Sequence, residues 1–529
     1  MSRRTVLKAA PVLATVIASP DGPLGPESAD AAAAHFPQPP VWASRLTPGF
    51  TRPVLDGTLD VRFNDTYIPG FGTANTRTYN AMIPGPTLRL RGGDRLNLTQ
   101  INGLPPGPVQ SGDMQNIPHD FNSFNLHTHG LHVSPAGNAD NVFRAFTPRV
   151  HAADPEPRYV STIDIPQDHP AGTFWYHPHL HGAVTEQVTG GMAGVLIIEG
   201  DVDRVPEIAA AAEVVVCINE LKLTKKSEVE FTGDAEITAA VPVFTVNGVV
   251  NPTIYLQPGE VQRWRLVAAT AFTRLPLSFT GEPQQRPDMY QIAMDGITFP
   301  APVETETVAL SQGNRGDVLI RACVPGTYEL RAAGVTDPLM TIVVDGEVIF
   351  PPMRLPERLP QGKPFISERD VTDPEARREV RFHVDRNVFP DPDFPNAYRL
   401  LGTHPTPATY PGKPPNDPTY GLFNADFVNH TLRLNRVERW TVTTDELMAS
   451  MNHPFHLHTN HFLITHRNGI KLDPPIWQDT LGVAGASPGE SYTILVEYKD
   501  YTGRAVLHCH LLPHEDLGMM QVIDYVNGP

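Results

Sequence analysis

Near the C-terminus the stretch Ala505-Val-Leu-His-Cys-His-Leu-Leu-Pro-His-Glu-Asp-Leu-Gly-Met-Met520 sets one cysteine between two histidines. A third histidine stands five positions after the cysteine and a methionine ten positions after it. Val506 and Leu507 lead in as a β-strand would, and on a strand neighbouring side chains point to opposite faces. Cys509 then faces one way, and His508 and His510 face the other. One strand can therefore serve two metal sites. Cys509, His514 and Met519 are three of the four donors of a copper site built from a thiolate, two imidazoles and a long axial thioether. The chain has still to supply a second imidazole for this site, and partners for His508 and His510.

The chain holds 21 histidines, none of them between His181 and His383. Eight of the 21 recur as pairs at i, i+2: His127 with His129, His177 with His179, His456 with His458, and His508 with His510. The first two pairs start 50 residues apart and the last two 52 apart. Each pair projects from one face of its strand. If the regions carrying them pack together, eight imidazoles converge. His453 is left over and supplies the missing imidazole of the Cys509 site. Imidazole clusters without carboxylate suit zinc, copper, iron or nickel, and the soft Cys-His-Met set selects copper.

The elements that position these residues read as short strands. Pro (55) and Gly (41) break the 529 residues frequently, and no long stretch has helical periodicity, which is an all-β sandwich pattern. One short helix is predicted from Pro206 to Ala212. Three segments repeat: Pro84 to Leu96, Asn251 to Trp264 and Asn429 to Trp440. Three later ones also match, Gly172 to His177, Gly326 to Arg331 and Gly503 to His508, each followed by a strand rich in Met and Ile or Val. The chain reads as a triplicated sandwich of roughly 150 residues per unit. Units are predicted at 35–205, 206–350 and 376–529, with a Pro-rich linker at 351–375. The histidine-free middle unit reads as a spacer.

The net charge of −17 argues against nucleic acid, since no basic surplus exists to neutralise phosphates. The N-terminus, Ser2-Arg3-Arg4-Thr-Val-Leu-Lys8 followed by an apolar run from Ala9 to Ala18, resembles a twin-arginine export signal, with cleavage expected near Ala34 and residues 1–34 removed. That predicts passage through the twin-arginine machinery to a periplasmic or extracellular location. The apolar run is too short to span a bilayer, and no membrane span is expected elsewhere. Beyond Cys509, Cys217 and Cys323 either form a disulfide or stay as free thiols.

The motifs His127-x-His129-Gly130, His177-x-His179, His453-Pro-x-His456-x-His458 and His508-Cys509-His510-x-x-x-His514-x-x-x-x-Met519 together resemble those of the three-domain, laccase-like multicopper oxidases. The resemblance covers nearly the whole chain after the signal. It implies three cupredoxin-like Greek-key β-sandwiches and four copper ions. The type 1 copper would take His453, Cys509, His514 and axial Met519. The type 2 copper would take His127 and His456, and the type 3 pair His129, His177, His179, His458, His508 and His510. It further implies that a reducing substrate is oxidised and O2 reduced to two waters, with Glu515 and Asp140 at positions where relatives carry proton-relaying acids.

His514 is expected to be the exposed edge of the type 1 site. His132 and His181, each within three residues of a ligand pair, are candidates for orienting ligands without being assigned to it, whereas His461 and His466 read as packing or surface residues. Phenols and aromatic amines are the expected substrates. The alternative is a metallo-oxidase of Cu(I), Mn(II) or Fe(II), which the 12 scattered methionines do not favour. A copper nitrite reductase would have two domains, and a structural relative would have lost the ligands.

Overall fold

The computed structural model describes residues 36–528, apart from 48, 50, 107–114, 224–239, 374–376, 390–394, 404–416, 446–451 and 485–489. The segment 1–34, expected to be an export signal, lies outside the described residues. Six sheets form three successive two-sheet sandwiches, an all-β fold as the strand pattern implies. The described helices are short: Val184–Thr189, Pro206–Ala210 with Pro at its first turn, and Leu512–Asp516. None of them is long and apolar enough to cross a membrane.

The sequence repeats correspond to one topology used three times. Gly85–Arg91, Thr253–Leu256 and Val428–Arg433 each run parallel to the last strand of their sandwich. Those last strands, Gly194–Glu199, Met340–Val344 and Met520–Val526, each pair antiparallel with Gly172–His177, Gly326–Ala332 and Gly503–Cys509 respectively. Burial of alternate residues drives each sandwich together, around Leu88, Phe124 and Phe174 in the first, Trp264, Leu277 and Ile342 in the second, and Trp440, Phe455 and Ile494 in the third. Trp264 and Trp440 take equivalent places, each donating its indole N–H to the side chain two residues before it, Gln262 at 3.0 Å and Glu438 at 3.2 Å.

Smaller clusters join the sandwiches. Trp175, Val195 and Ile197 pack against Val215, Cys217 and Val267 between the first and second. Ile297 packs with Leu463, Trp477 and Leu495 between the second and third. Val142 meets Phe423, Val506 and Met520 between the first and third. Val184 and Val188, Ala271 and Leu512 meet where all three come together. Cys217 is buried in the first of these interfaces and Cys323 is exposed, so the two are free thiols and not a disulfide.

The first interface is also ionic. Arg265, wholly buried, reaches Glu213 at 2.7 Å, Asp203 at 2.9 Å and Asp317 at 3.1 Å. Glu213 also pairs with Arg89 of the first sandwich. Burial pushes the Glu213 carboxyl up, but Arg265 and Arg89 outweigh it and hold the group down at about 2. A depressed folded-state value means stability that is present above the ordinary value of 4.5 and lost as pH falls towards about 2. Glu213→Gln is therefore expected to unfold at lower denaturant than the parent at pH 7, with the gap closing between about pH 4.5 and 2. Chemical denaturation across that range measures this; a gap that stays constant with pH would contradict the pairing.

Candidate metal centre

Strand pairing places the histidines in matched register. In the first sandwich His127–His129 runs antiparallel to Gly172–His177, with His127 opposite His177. In the third, Asn452–Leu457 runs antiparallel to Gly503–Cys509, with His456 opposite His508 and Phe455 opposite Cys509. Alternation then sorts the last strand as its sequence suggests. Cys509 turns into the third sandwich, where its Sγ lies 3.6 Å from His453 Nδ1 and 3.9 Å from His514 Nδ1. The two Nδ1 atoms are 3.3 Å apart. Met519 is buried in the same core, its backbone tied to both neighbours: Met519 N–H donates to the His514 carbonyl and Cys509 N–H to the Met519 carbonyl.

His508 and His510 turn the other way and meet the first sandwich. His179, His458 and His508 bring their Nε2 atoms together, His179 to His458 and to His508 at 3.1 Å, and His458 to His508 at 3.3 Å. His127 stacks on His458 at 4.0 Å and His129 on His456 at 3.9 Å. His510 lies 4.9 Å from His129 and 5.5 Å from His177, ring to ring. All eight paired histidines thus gather at one seam, and all are buried.

The ring nitrogens behave as ligands do. His177 Nδ1–H donates to the Pro178 carbonyl at 2.8 Å, His456 Nδ1–H to the Asp479 carbonyl at 2.8 Å, and His508 Nδ1–H to the Cys509 carbonyl at 3.1 Å. His127 Nδ1 faces Asp140, 3.0 Å away. Each such bond fixes the tautomer and leaves Nε2 bare. The Nε2 atoms of His127, His177 and His456, with Nδ1 of His129 and both nitrogens of His510, are buried without a hydrogen-bond partner. Orphaned polar atoms in such number are rare in a folded core, and soft-to-borderline cations would each take one nitrogen from several of these rings. Burial is the largest cause holding every one of these imidazoles below its usual pKa, and at most of them neighbouring rings add to it. They are neutral and ready to ligate at pH 7. Burial likewise pushes the Cys509 thiol up, so an adjacent cation is what would favour the thiolate.

Three carboxylates surround the seam. Glu515, on the helix Leu512–Asp516, sets Oε1 3.3 Å from His179 Nδ1 and Oε2 3.0 Å from His508 Nδ1. Burial lifts its carboxyl to about 7 against the opposing pull of His179. Asp140 accepts the Thr128 N–H at 2.8 Å, and burial raises it to about 7. The third, Asp479, was not singled out by its sequence. Its Oδ1 lies 3.3 Å from His129 Nε2 and 3.7 Å from His456 Nδ1. Thr480 Oγ1 stands 3.1 Å from those same two nitrogens. Arg315 of the second sandwich holds Asp479 in a two-pronged grip. Burial pushes Asp479 up, but Arg315 overrides it and keeps it ionised.

The structure corrects the expectation for His514 and places the remaining histidines. His514 is not an exposed edge: it is 5% exposed against 0% for His453, with the Tyr398 ring 4.4 Å away. His132 hydrogen bonds the Thr459 carbonyl and Asp500, and His181 meets Asn116 and the Phe423 ring, so their described bonds run to residues other than ligands. His461 is a packing residue, bonded to the Asp295 carbonyl at 2.9 Å, and His466 is half-buried beside Thr465. The middle sandwich is no mere spacer, because Arg315 belongs to it.

Family models of multicopper oxidase match residues 114–203, 213–343 and 395–528, together more than half of the chain. The chain is similar to the multicopper oxidase mco of Staphylococcus aureus, 24% identical over 84% of this chain and 83% of that one. It is also 24% identical to a laccase of Bacillus stratosphericus, over 85% of this chain and 90% of that one. Among solved structures, a multicopper oxidase of Campylobacter jejuni described as a metallo-oxidase shares the fold with a TM-score of 0.64 at 22% identity, covering 93% of this chain and 96% of that one. With cupredoxin-like sandwiches, a cysteine–histidine group and a histidine seam already in place, the chain belongs to the multicopper oxidase family, oxidoreductases that use oxygen.

Proposed function

We propose that this chain oxidises phenols or aromatic amines one electron at a time and reduces O2 to water, using four copper ions. The observation that carries this reading is the strand Gly503–Cys509, whose end faces a cysteine–histidine group on one side and the histidine seam on the other. His453, Cys509, His514 and Met519 would hold the type 1 copper, and His127 and His456 the type 2 copper. His129, His177, His179, His458, His508 and His510 would hold the type 3 pair. Bound there, copper would accept electrons singly from the reducing substrate and hold the four that O2 requires to become two waters.

The rest is the work of side chains. Peptide bonds join Cys509 to His508 and His510, so the two sites have a covalent connection one residue long. His514 is the less deeply buried imidazole of that group, so a reducing substrate would pass its electron from that side, across the Tyr398 ring that covers it. Forming two waters consumes protons, and Glu515 is placed to deliver them. Its carboxyl lies within hydrogen-bonding reach of His179 and His508, wholly buried, and can carry a proton near neutral pH. Asp140 faces His127 Nδ1, which turns Nε2 towards the seam and offers a second proton-holding acid. Export by the twin-arginine pathway to the periplasm or medium is supported by Arg3 and Arg4 with the apolar run behind them.

Glu515→Gln keeps the shape and removes the proton. Its turnover with O2 is expected to fall by about 100-fold or more, while the intense visible band of the thiolate site stays. Stopped-flow reoxidation measures both, and unchanged turnover would remove Glu515 from the proton path.

The substrate class is tested by O2 uptake of the copper-loaded chain with a methoxyphenol, Cu(I) and Mn(II) supplied separately. Higher kcat/KM for the methoxyphenol is expected. A clear preference for either metal ion would replace this reading with that of a metallo-oxidase, as the Campylobacter jejuni structure is described.

A further inference from the structure

The histidine-free second sandwich reaches into the seam through one turn, residues 311–314, and the arginine that follows it. Gly313 has φ of +84°, and a Cβ there would stand 2.9 Å from His510 Nε2 and 3.0 Å from His129 Cε1, so its backbone walls two of the cluster rings. Asn314 donates to the Thr480 carbonyl at 2.8 Å and to Asp295 at 2.9 Å. Asn452, next to His453, donates to Ser311 Oγ at 3.2 Å. Arg315 is wholly buried and its fork is fully engaged. Nη1 and Nη2 donate to the two oxygens of Asp479 at 2.8 and 2.5 Å, Nη1 also to the Gly313 carbonyl at 3.0 Å, and Nε to the Thr173 carbonyl of the first sandwich at 3.3 Å. Asp295 closes the knot, accepting the backbone N–H groups of Arg315, Asp479 and Thr480.

The same knot accounts for a glycine in the histidine motif. Gly130 follows His129 with φ of +85°, and a Cβ on it would lie 2.6 Å from Asp479 Oδ2 and would overlap the Arg315 guanidinium. The space that any other residue would fill at 130 is occupied by the ion pair. Asp479 in turn is the carboxylate beside His129 and His456, one histidine from each flanking sandwich.

We propose that the turn at 311–314 and Arg315 form a positioning element for the histidine cluster, so that the second sandwich sets the approach of His129 and His456 through Asp479. This rests on the copper reading above. It assigns a role in the site to a part of the chain that holds no ligand. Arg315 acts through Asp479 and is a positioning residue. A lysine in its place keeps the charge but not the planar fork.

The test uses the full chain loaded with copper as the parent, Arg315→Met, Arg315→Lys and Gly313→Ala. The visible absorption band reports the Cys509 site. The type 2 electron paramagnetic resonance signal, and the copper retained against a chelator, report the seam. Arg315→Met is expected to weaken copper held at the seam by about 10- to 100-fold with the visible band unchanged. Arg315→Lys should recover part of that loss, and Gly313→Ala, whose Cβ meets His129 and His510, should lower the copper retained at the seam. Signals and retention in Arg315→Met equal to the parent would overturn the inference. So would parallel loss of the visible band and the seam signals in both arginine variants, which marks general unfolding instead of positioning. A parent chain with no type 2 signal would overturn the copper reading itself, a result separable from either of these.

Discussion

Everything in this molecule answers to a group of buried imidazole nitrogens that no protein group satisfies. A buried polar atom without a partner costs about 1–3 kcal/mol, and the seam leaves several such atoms facing one another. Neutrality lowers the cost, and burial provides it by holding the imidazoles well below their usual pKa. It does not remove the cost. The seam is tolerable as a place built for cations, and the fold has to hold it shut between cations as well as with them.

Holding it shut requires that the first and third sandwiches, which are not neighbours in the chain, stay in register. The apolar contacts between them are modest, centred on Val142, Phe423, Val506 and Met520. Polar locks add direction. Asp516 accepts N–H groups from Gly182, Val184 and Thr185, fastening the helix Val184–Thr189 of the first sandwich to the last helix of the third. The Arg315–Asp479–Asp295 group does the same, with hydrogen bonds that join groups of all three sandwiches. A buried ion pair of this kind is weak evidence for stability, but its several directed hydrogen bonds define an arrangement, and a fixed arrangement is what ligands require.

Much of this could be read from the chain alone, for a specific reason. Ligand identity is dictated by metal chemistry, and the i, i+2 spacing by strand geometry, so His127 to His129 and His508 to His510 carry their own explanation. The repeats Gly172 to His177 and Gly503 to His508 gave the matched registers. Asp479 and Arg315 were not legible, because their meaning depends on an approach between residues 164 apart in sequence. A signal did exist: Arg315-Gly-Asp317 places two charges at the head of the apolar run Val318-Leu-Ile320. Charges entering a buried strand need partners. His132 and His181 failed in the opposite way. Nearness along the chain suggested nearness to the metal ligands, but the backbone turns them towards Thr459, Asp500 and Asn116. His514 reads as the exposed edge because His453 precedes a proline and enters a buried motif; Tyr398, from a distant strand, covers His514 as well.

The central claim is that one strand end serves two copper sites, the second shared between the first and third sandwiches. Crystals of the copper-loaded chain, measured for anomalous scattering at the copper edge, test it directly. The account predicts one peak beside Cys509 Sγ, between His453 and His514, and a separate group of peaks among the eight paired histidines. Copper found only beside Cys509, or at neither place, would contradict it.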